Sequence, residues 1–321
     1  MSSCRIVFLG TPDFAVPALH ELVAAPDLKV VGVVTQPDRP AGRGQKIEIP
    51  PVKQAALQAN IPMIQPEKVR EPAAMEQIIA WEPDYLVVVA FGQILRQNLL
   101  AIPRSAPINV HASLLPRWRG ASPIQAAIRA GDNFTGVTTM VMEAGLDSGP
   151  ILLQDSILIS PDETGQSLHD KLAPLGAMLL VHTLRWLYSG SIVPHPPPTD
   201  PALISTAPII KKEDGLIQWS DTAAAIDRHV RAFTPWPGTY TYWNNQRLKI
   251  ISGYPIAAKW NVPPGQVADT RGADLAQAAP FVIGTGRGVY VPTRLQLAGR
   301  QVTDATSFLN GAPDFFSSTL G

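Results

Sequence analysis

Cysteine is almost absent from this chain. Among 321 residues Cys4 stands alone, which excludes an intramolecular disulfide and a cysteine-built metal cage and fits a reducing compartment. Neither sign of charge is in excess. The 26 Lys and Arg balance 26 Asp and Glu, so no global field draws in nucleic acid, and a polyanionic partner has to be held by local clusters. No run approaches the roughly 18 apolar residues that span a bilayer. The opening MSSCRIVFLGTPDF reaches Asp13 before a long apolar stretch develops, so it does not read as a signal peptide. These absences set the expectation of a cytoplasmic protein, with a monomer as the default state. Hydrophobic residues at 45% and charged residues at 16% argue against extensive disorder, and the length accommodates two domains, each with its own core.

Proline is what the chain has in excess: 32 residues, about twice the usual share. Five of them fall within residues 194–201, a stretch that cannot form a helix or a central strand and reads as an extended, semi-rigid spacer. The boundaries expected from it are a first domain over 1–190, a linker over 191–207 and a second domain over 208–321. Before the linker, short β-rich runs at 5–9, 30–35, 85–90 and 108–111 alternate with helical patterns at 16–24, 52–59, 75–81 and 122–130. Further strands are expected at 135–142 and 151–159, and a long helix at 167–188. That alternation implies an α/β fold, a Rossmann-like, doubly wound and mostly parallel sheet with helices on both faces. After the linker the texture changes to short strands at 239–243, 247–252, 265–267, 281–284 and 288–296 with Asn-Asn and Gly-rich turns, the pattern of a small β-barrel.

Two glycines are missing where a dinucleotide enzyme needs them. After the first strand the chain reads Gly10-Thr11-Pro12-Asp13-Phe14-Ala15, so Pro12 and Ala15 occupy the second and third positions of a Gly-x-Gly-x-x-Gly turn. Close approach of backbone to a pyrophosphate is lost, which disfavours a nicotinamide oxidoreductase. A strand-to-helix turn with Asp13 near the helix N-terminus accounts for the segment.

Asn109 and His111 end the fourth strand two residues apart, so they share one face, beyond the carboxyl end of a parallel strand where ligands of such sheets bind. An amide and an imidazole side by side can donate to a developing oxyanion, and the imidazole can move a proton near neutral pH. Asp147, in the turn Ala144-Gly145-Leu146-Asp147-Ser148-Gly149-Pro150, can approach that imidazole and relay a proton. Spacing alone leaves a second reading open, with His111 a core or capping histidine and Asp147 a turn residue. No Gly-x-Ser-x-Gly elbow is present, so acyl transfer without a covalent enzyme intermediate is the simplest chemistry.

The segment Asn109-Val110-His111-Ala112-Ser113-Leu114-Leu115-Pro116-Arg117-Trp118-Arg119-Gly120, followed by Gly145-Leu146-Asp147-Ser148-Gly149, resembles the signature of the folate-dependent formyltransferases. Within that family the likeness is greatest to the branch acting on methionyl-tRNA. It extends through Gly10–Ala15, the loop Pro37-Asp38-Arg39-Pro40-Ala41-Gly42-Arg43-Gly44, and Arg231-Ala232-Phe233-Thr234-Pro235-Trp236-Pro237-Gly238. The resemblance implies formyl transfer from 10-formyltetrahydrofolate, as co-substrate and without a metal, to the α-amino group of methionine on initiator tRNA. Asn109 and His111 would stabilise the tetrahedral oxyanion, and Asp147 would orient His111 and assist proton removal. It also implies an OB-like second domain that binds tRNA.

By the same resemblance the folate would meet Phe91, Gly92, Gln93, Ile94 and Leu95, largely through main-chain hydrogen bonds, together with Ser113, Leu114, Leu115 and Pro116. Phe91 stands where Tyr is common in the family and Arg96 where Pro is frequent, so any role of a tyrosine hydroxyl is lost while backbone recognition survives. The tRNA would be met by Arg43 above all, with Arg39 and Lys46 on the same Gly-rich loop and Lys211, Lys212, Arg247 and Lys249 in the second domain. Taken singly, each of these cations also reads as a solvated surface charge. The alternatives carried forward are a formyltransferase acting on a small amine or sugar nucleotide, a formyl-folate hydrolase, and a non-catalytic tRNA-binding protein. A small-amine enzyme should lack the basic loop and the β-rich second domain, both present here.

Overall fold

The computed structural model describes residues 4–41, 46–257, 261–270 and 280–321. Arg43 therefore lies outside the described residues, as does the side chain of Lys46. The chain forms two compact units. The first comprises residues up to Pro123, Phe134–Leu158 and His169–Ala207; the second comprises Ile124–Asn133, Ile159–Leu168 and Pro208–Gly321.

In the first unit, β1 (Cys4–Gly10), β2 (Leu28–Val34), β3 (Met63–Ile64), β4 (Tyr85–Val89), β5 (Ala106–His111), β6 (Arg119–Gly120), β7 (Phe134–Val141), β8 (Ile151–Leu158) and β9 (Thr206–Ala207) are the strands that matter for the site. Seven make one sheet in the order β8-β7-β5-β4-β1-β2-β3. The pairs from β5 through β3 are parallel, and β7 and β8 add on antiparallel. The mostly parallel sheet thus agrees with the alternation read from the sequence. β4 is buried along its whole length and β1 nearly so, as strands covered on both faces must be. Helices α1 (Val16–Ala24), α2 (Pro51–Gln58) and α3 (Pro72–Ala80) each carry Pro at the first or second helical position, where the missing N–H has no intrahelical partner to lose. That placement absorbs part of the proline excess. Cys4 is buried in β1, and burial with Asp84 nearby pushes its thiol up to about 12, so it is no nucleophile.

Chain order fixes where a ligand can enter. From β1 the chain runs to β2 and β3 on one side, then returns to place β4 and β5 on the other, so the direction switches between β1 and β4. The crevice beyond the carboxyl ends of strands at such a point is where open α/β sheets bind ligands.

The proline-rich stretch does more than span a distance. His195 exchanges two backbone hydrogen bonds with Ile151, at 2.7 and 2.8 Å, and Thr206–Ala207 forms β9, paired in parallel with β6. Sequence periodicity shows neither, because a two-residue strand has no period.

In the second unit α4 (Pro123–Ala130, from Ile124 onward), the first residues of α5 (Gly165–Tyr188), α6 (Ala223–Ala232) and α7 (Ala305–Asn310) accompany an antiparallel sheet. Its main path is β10 (Thr239–Trp243), β11 (Gln246–Ile256), β14 (Val289–Leu297), β13 (Phe281–Gly284) and β12 (Val267–Asp269). Residues 317–321 bond along Gly265 and Val267 and end with the Gly321 N–H on the Tyr242 carbonyl, so the tail joins the two edge strands and closes the sheet. Trp243, Phe281, Phe308 and Phe315 pack edge to face inside it.

His229 on α6 carries a pH prediction. Burial first, and the Arg129 guanidinium second, lower its pKa from 6.5 to about 4, and its Nε2 is buried without a hydrogen-bond partner among the described residues. Between those two values the unfolded chain binds a proton that the folded chain refuses. Stability should therefore fall as pH drops through 6.5 and level off near 4, by at most roughly 3 kcal/mol from this residue. Urea unfolding of the parent and His229→Gln at pH 7 and pH 4.5 checks it: the parent's midpoint should fall more than the variant's.

Candidate active site

β5 delivers Asn109 and His111 to the sheet's carboxyl edge. Asn109 lies opposite Val88 of β4 and Met140 of β7, and His111 opposite Thr138. Val110, between them, turns the other way and packs with Val137 on Gly176 of α5, where a Cβ would stand 3.0 Å from Val110 Cγ1. The alternation of the strand therefore aims the amide and the imidazole at the opposite face, as the spacing requires.

The two side chains are held differently. Asn109 is half-buried, and its amide has no hydrogen-bond partner among the described residues. His111 is buried, and both ring nitrogens are engaged. Nε2 donates to the Trp118 carbonyl at 2.9 Å, and Nδ1 faces Asp147 Oδ2 at 3.6 Å. A carbonyl can only accept, so a proton sits on Nε2, and Nδ1 is where a proton arrives or leaves. Asp147 is held in turn by the Gly120 N–H, which donates to its Oδ2 at 2.8 Å, and its backbone is left-handed at φ +44°. Geometry brings His111 and Asp147 within 3.6 Å of each other, with Asp147 seated in the turn expected from the sequence. The Asn109 amide is without a described partner, whereas the His111 Nε2–H is already bonded to Trp118.

The loop after β5 is built around a residue that spacing did not single out. Thr138 of β7 is fully buried, and its hydroxyl donates to the Ser113 carbonyl at 2.7 Å. The same oxygen accepts from the Leu115 N–H at 3.1 Å and from Gln154 Nε2 at 2.9 Å. Gln154 Nε2 also reaches the Leu115 carbonyl at 3.0 Å. Ser113 closes the loop on itself by donating its hydroxyl to the Arg117 carbonyl at 2.6 Å, and the Leu115–Pro116 peptide is cis. Of the four residues here expected to meet folate, Ser113, Leu115 and Pro116 are buried and Leu114 is half-buried.

At the end of β4 the backbone turns through left-handed Ala90 and Gly92. The Phe91 ring is in the core among Val7, Leu9, Val34 and Leu86, and its carbonyl accepts from Thr11 Oγ1 at 3.0 Å and Gln36 Nε2 at 3.2 Å. The three strand ends on either side of the switch point are thereby tied together, which gives Thr11 of the glycine-poor loop a structural task. Gln93 anchors the next residues, its Oε1 accepting from the Val69 N–H at 2.7 Å. The backbones of Ile94 and Leu95 bond to no described residue, and Ile94 is 90% exposed. This segment therefore offers main-chain donors and acceptors beyond the end of β4.

The basic loop begins on a fixed base. Gln65 and Lys53 both bond Asp38, at 2.8 and 2.7 Å, and hold its carboxyl below the usual carboxylate range. Arg39–Ala41 then pairs antiparallel with Lys46–Glu48. Arg39 meets Glu67 at 2.9 Å on the surface. In the second unit Lys211 and Lys212 are exposed and Lys249 is half-buried, while Arg247 lies over the Tyr240 ring at 3.6 Å with its Nε buried. Arg247, expected as a nucleic-acid contact, is first a cover for that ring, because a planar guanidinium stacks on an aromatic face.

Residues 4–184 match the formyl transferase family and residues 209–313 its C-terminal domain. A methionyl-tRNA formyltransferase of Citrifermentans bemidjiense is 49% identical over 311 residues, 97% of this chain and 94% of its own length. One of Geobacter sulfurreducens is 45% identical over 312 residues, 97% and 95% of the two chains. Among solved structures, an N-formyltransferase of Helicobacter canadensis in complex with folinic acid and dTDP-3-aminofucose gives a TM-score of 0.66 at 17% identity, over 90% of this chain and 98% of that one. A methionyl-tRNA formyltransferase from Clostridium thermocellum gives 0.55 at 14% identity, over 80% and 95%. At those identities the structural likeness is one of fold.

Proposed function

The chain belongs to the formyl transferase family, within it to the methionyl-tRNA formyltransferases, and from that premise we propose how its residues carry out the transfer. The enzyme formylates the α-amino group of methionine on initiator tRNA, using a folate derivative as donor. The donor is 10-formyltetrahydrofolate, and no metal takes part. The amine nitrogen attacks the formyl carbon, the carbonyl π electrons move to oxygen, and the tetrahedral centre then expels N10 of the folate. The amine must lose one proton and N10 must gain one. Asn109 donates its amide N–H to the developing oxyanion. His111 supports that oxyanion through Nε2–H and exchanges a proton at Nδ1, where the Asp147 carboxylate stabilises the imidazolium. The observation that carries this reading is the uncommitted Asn109 amide beside a His111–Asp147 pair at the carboxyl edge of β5.

The folate sits in the crevice at the end of β4, met by the open backbone of Ile94 and Leu95, with Gly92, Gln93 and Leu114 around it. Phe91, Ser113, Leu115 and Pro116 hold that wall from behind. The tRNA is met by Arg43 of the Gly-rich segment, with Arg39 and Lys46 on either side of it in the sequence, and by Lys211, Lys212 and Lys249 of the second unit. Arg247 contributes from its stacked position on Tyr240. The enzyme acts as a cytoplasmic monomer. Among the described residues no helix is long and apolar enough to cross a membrane.

Arg43→Ala should raise KM for Met-tRNA by about tenfold, the worth of one charged phosphate contact, and leave KM for the folate unchanged. Steady-state assays titrating each substrate, run with and without a chelator, check both the loop and the metal-free reading. Equal losses for both substrates, or loss of turnover on chelation, would contradict them.

A further inference from the structure

His111 and Asp147 both lean on the stretch around one short strand. The Trp118 carbonyl accepts from the His111 Nε2–H at 2.9 Å, and two residues on, the Gly120 N–H donates to Asp147 Oδ2 at 2.8 Å. Trp118 has φ +61°, a conformation that a bulky residue keeps only when its surroundings hold it there. Strand β6, residues Arg119–Gly120, is too short to fix those two groups unaided.

What fixes them is the end of the proline-rich linker. Ser205 Oγ accepts from the Trp118 N–H at 3.0 Å, and the Ser205 carbonyl accepts from the Arg119 N–H at 2.9 Å. β9 then pairs Thr206 with Arg119 and Ala207 with Gly120, and the Ser122 N–H closes on the Ala207 carbonyl at 3.2 Å. The approach is tight: a Cβ on Gly120, whose φ is +117°, would stand 2.6 Å from the Ala207 oxygen. Trp118 is thus clamped on its N–H by Ser205 and on its carbonyl by His111.

We propose that Ser205 is a positioning residue for formyl transfer. Through Trp118 it fixes the tautomer and orientation of His111, and through β9 the interdomain linker becomes a structural part of the active site. Displacing residues 205–207, which lead directly into the second unit, displaces the partners of His111 and Asp147 together. The inference rests on the assignment of His111 and Asp147 as the proton-handling pair.

The test uses full-length Ser205→Ala and Ser205→Thr, single-turnover formyl transfer, KM for each substrate, and nitrogen NMR of His111 assigned by its loss in His111→Asn. Ser205→Ala should lower kcat about tenfold, matching the loss of one neutral hydrogen bond, with both KM values within about twofold. The single Nε2–H tautomer should give way to a mixture. Ser205→Thr keeps the acceptor and should restore rate and tautomer together. If the alanine variant does not fold, Ser205→Cys, a weak acceptor, must show the same pair of changes in smaller degree. Parental turnover in Ser205→Ala, or a lower rate with an unchanged His111 tautomer, overturns the proposal. An inactive His111→Ala beside an unimpaired Ser205→Ala removes only the role of Ser205; an active His111→Ala removes the premise.

Discussion

Replacing Asn109 by alanine should leave the fold intact and lower kcat by about two to three orders of magnitude. The two halves of that expectation come from different observations. The side chain is half-buried and its amide bonds to no described residue, so truncation strands no partner and opens no closed core. Its use arises only when the formyl oxygen takes on charge, and a donor already in place then needs no reorganisation. The loss should fall on kcat, with KM for folate and for tRNA nearly unchanged, because the interaction belongs to the transition state. Single-turnover rates, set beside a thermal melt that matches the parent, check this. A kcat within about threefold of the parent would leave the oxyanion without its assigned donor.

Asp147→Asn should be more severe, on the order of a thousandfold in kcat, while the loop keeps its shape. An asparagine retains an oxygen for the Gly120 N–H, so the 2.8 Å bond that places residue 147 survives. What goes is the negative charge 3.6 Å from His111 Nδ1. The oxygen that keeps the Gly120 bond is also the one that faces Nδ1, so the ring then meets a neutral carbonyl oxygen in place of a carboxylate, and the protonated ring that the transfer requires loses its counter-charge. Because the defect lies in stabilising the imidazolium, the variant's rate should stay low across pH 6–9 instead of recovering at one end. Rate–pH profiles of parent and variant test this, and a parental rate anywhere in that range would remove Asp147 from proton handling.

Much of the candidate site's face was legible because strand periodicity is a strong signal. Asn109, Val110 and His111 alternate, and the structure puts Val110 against α5 and the other two at the opposite face. The parallel order and the loop position of the candidate folate segment followed from the same alternation of strands and helices. Thr138 was invisible for a physical reason: it is one of three threonines in a strand where any β-branched residue fits, and only the folded loop shows three hydrogen bonds converging on its hydroxyl. Ser205 was hidden twice, by its distance in sequence from Trp118 and by the prolines, which spoke for a spacer. Arg247 was read by charge alone, whereas strand register sets it beside Tyr240 on one face of the sheet, where stacking takes the guanidinium. Local pattern gave the elements; long-range pairing by two or three residues gave the support of the site.

The most direct test of the central claim is to follow labelled formyl from 10-formyltetrahydrofolate with purified enzyme and three acceptors present together: initiator Met-tRNA, elongator Met-tRNA and a free amino sugar. The label should appear on the methionyl amine of initiator tRNA, in preference to both competitors, and should stay in the folate when Asn109→Ala replaces the parent. Label released as formate, label on the amino sugar, or undiminished transfer by the Asn109 variant would contradict the account.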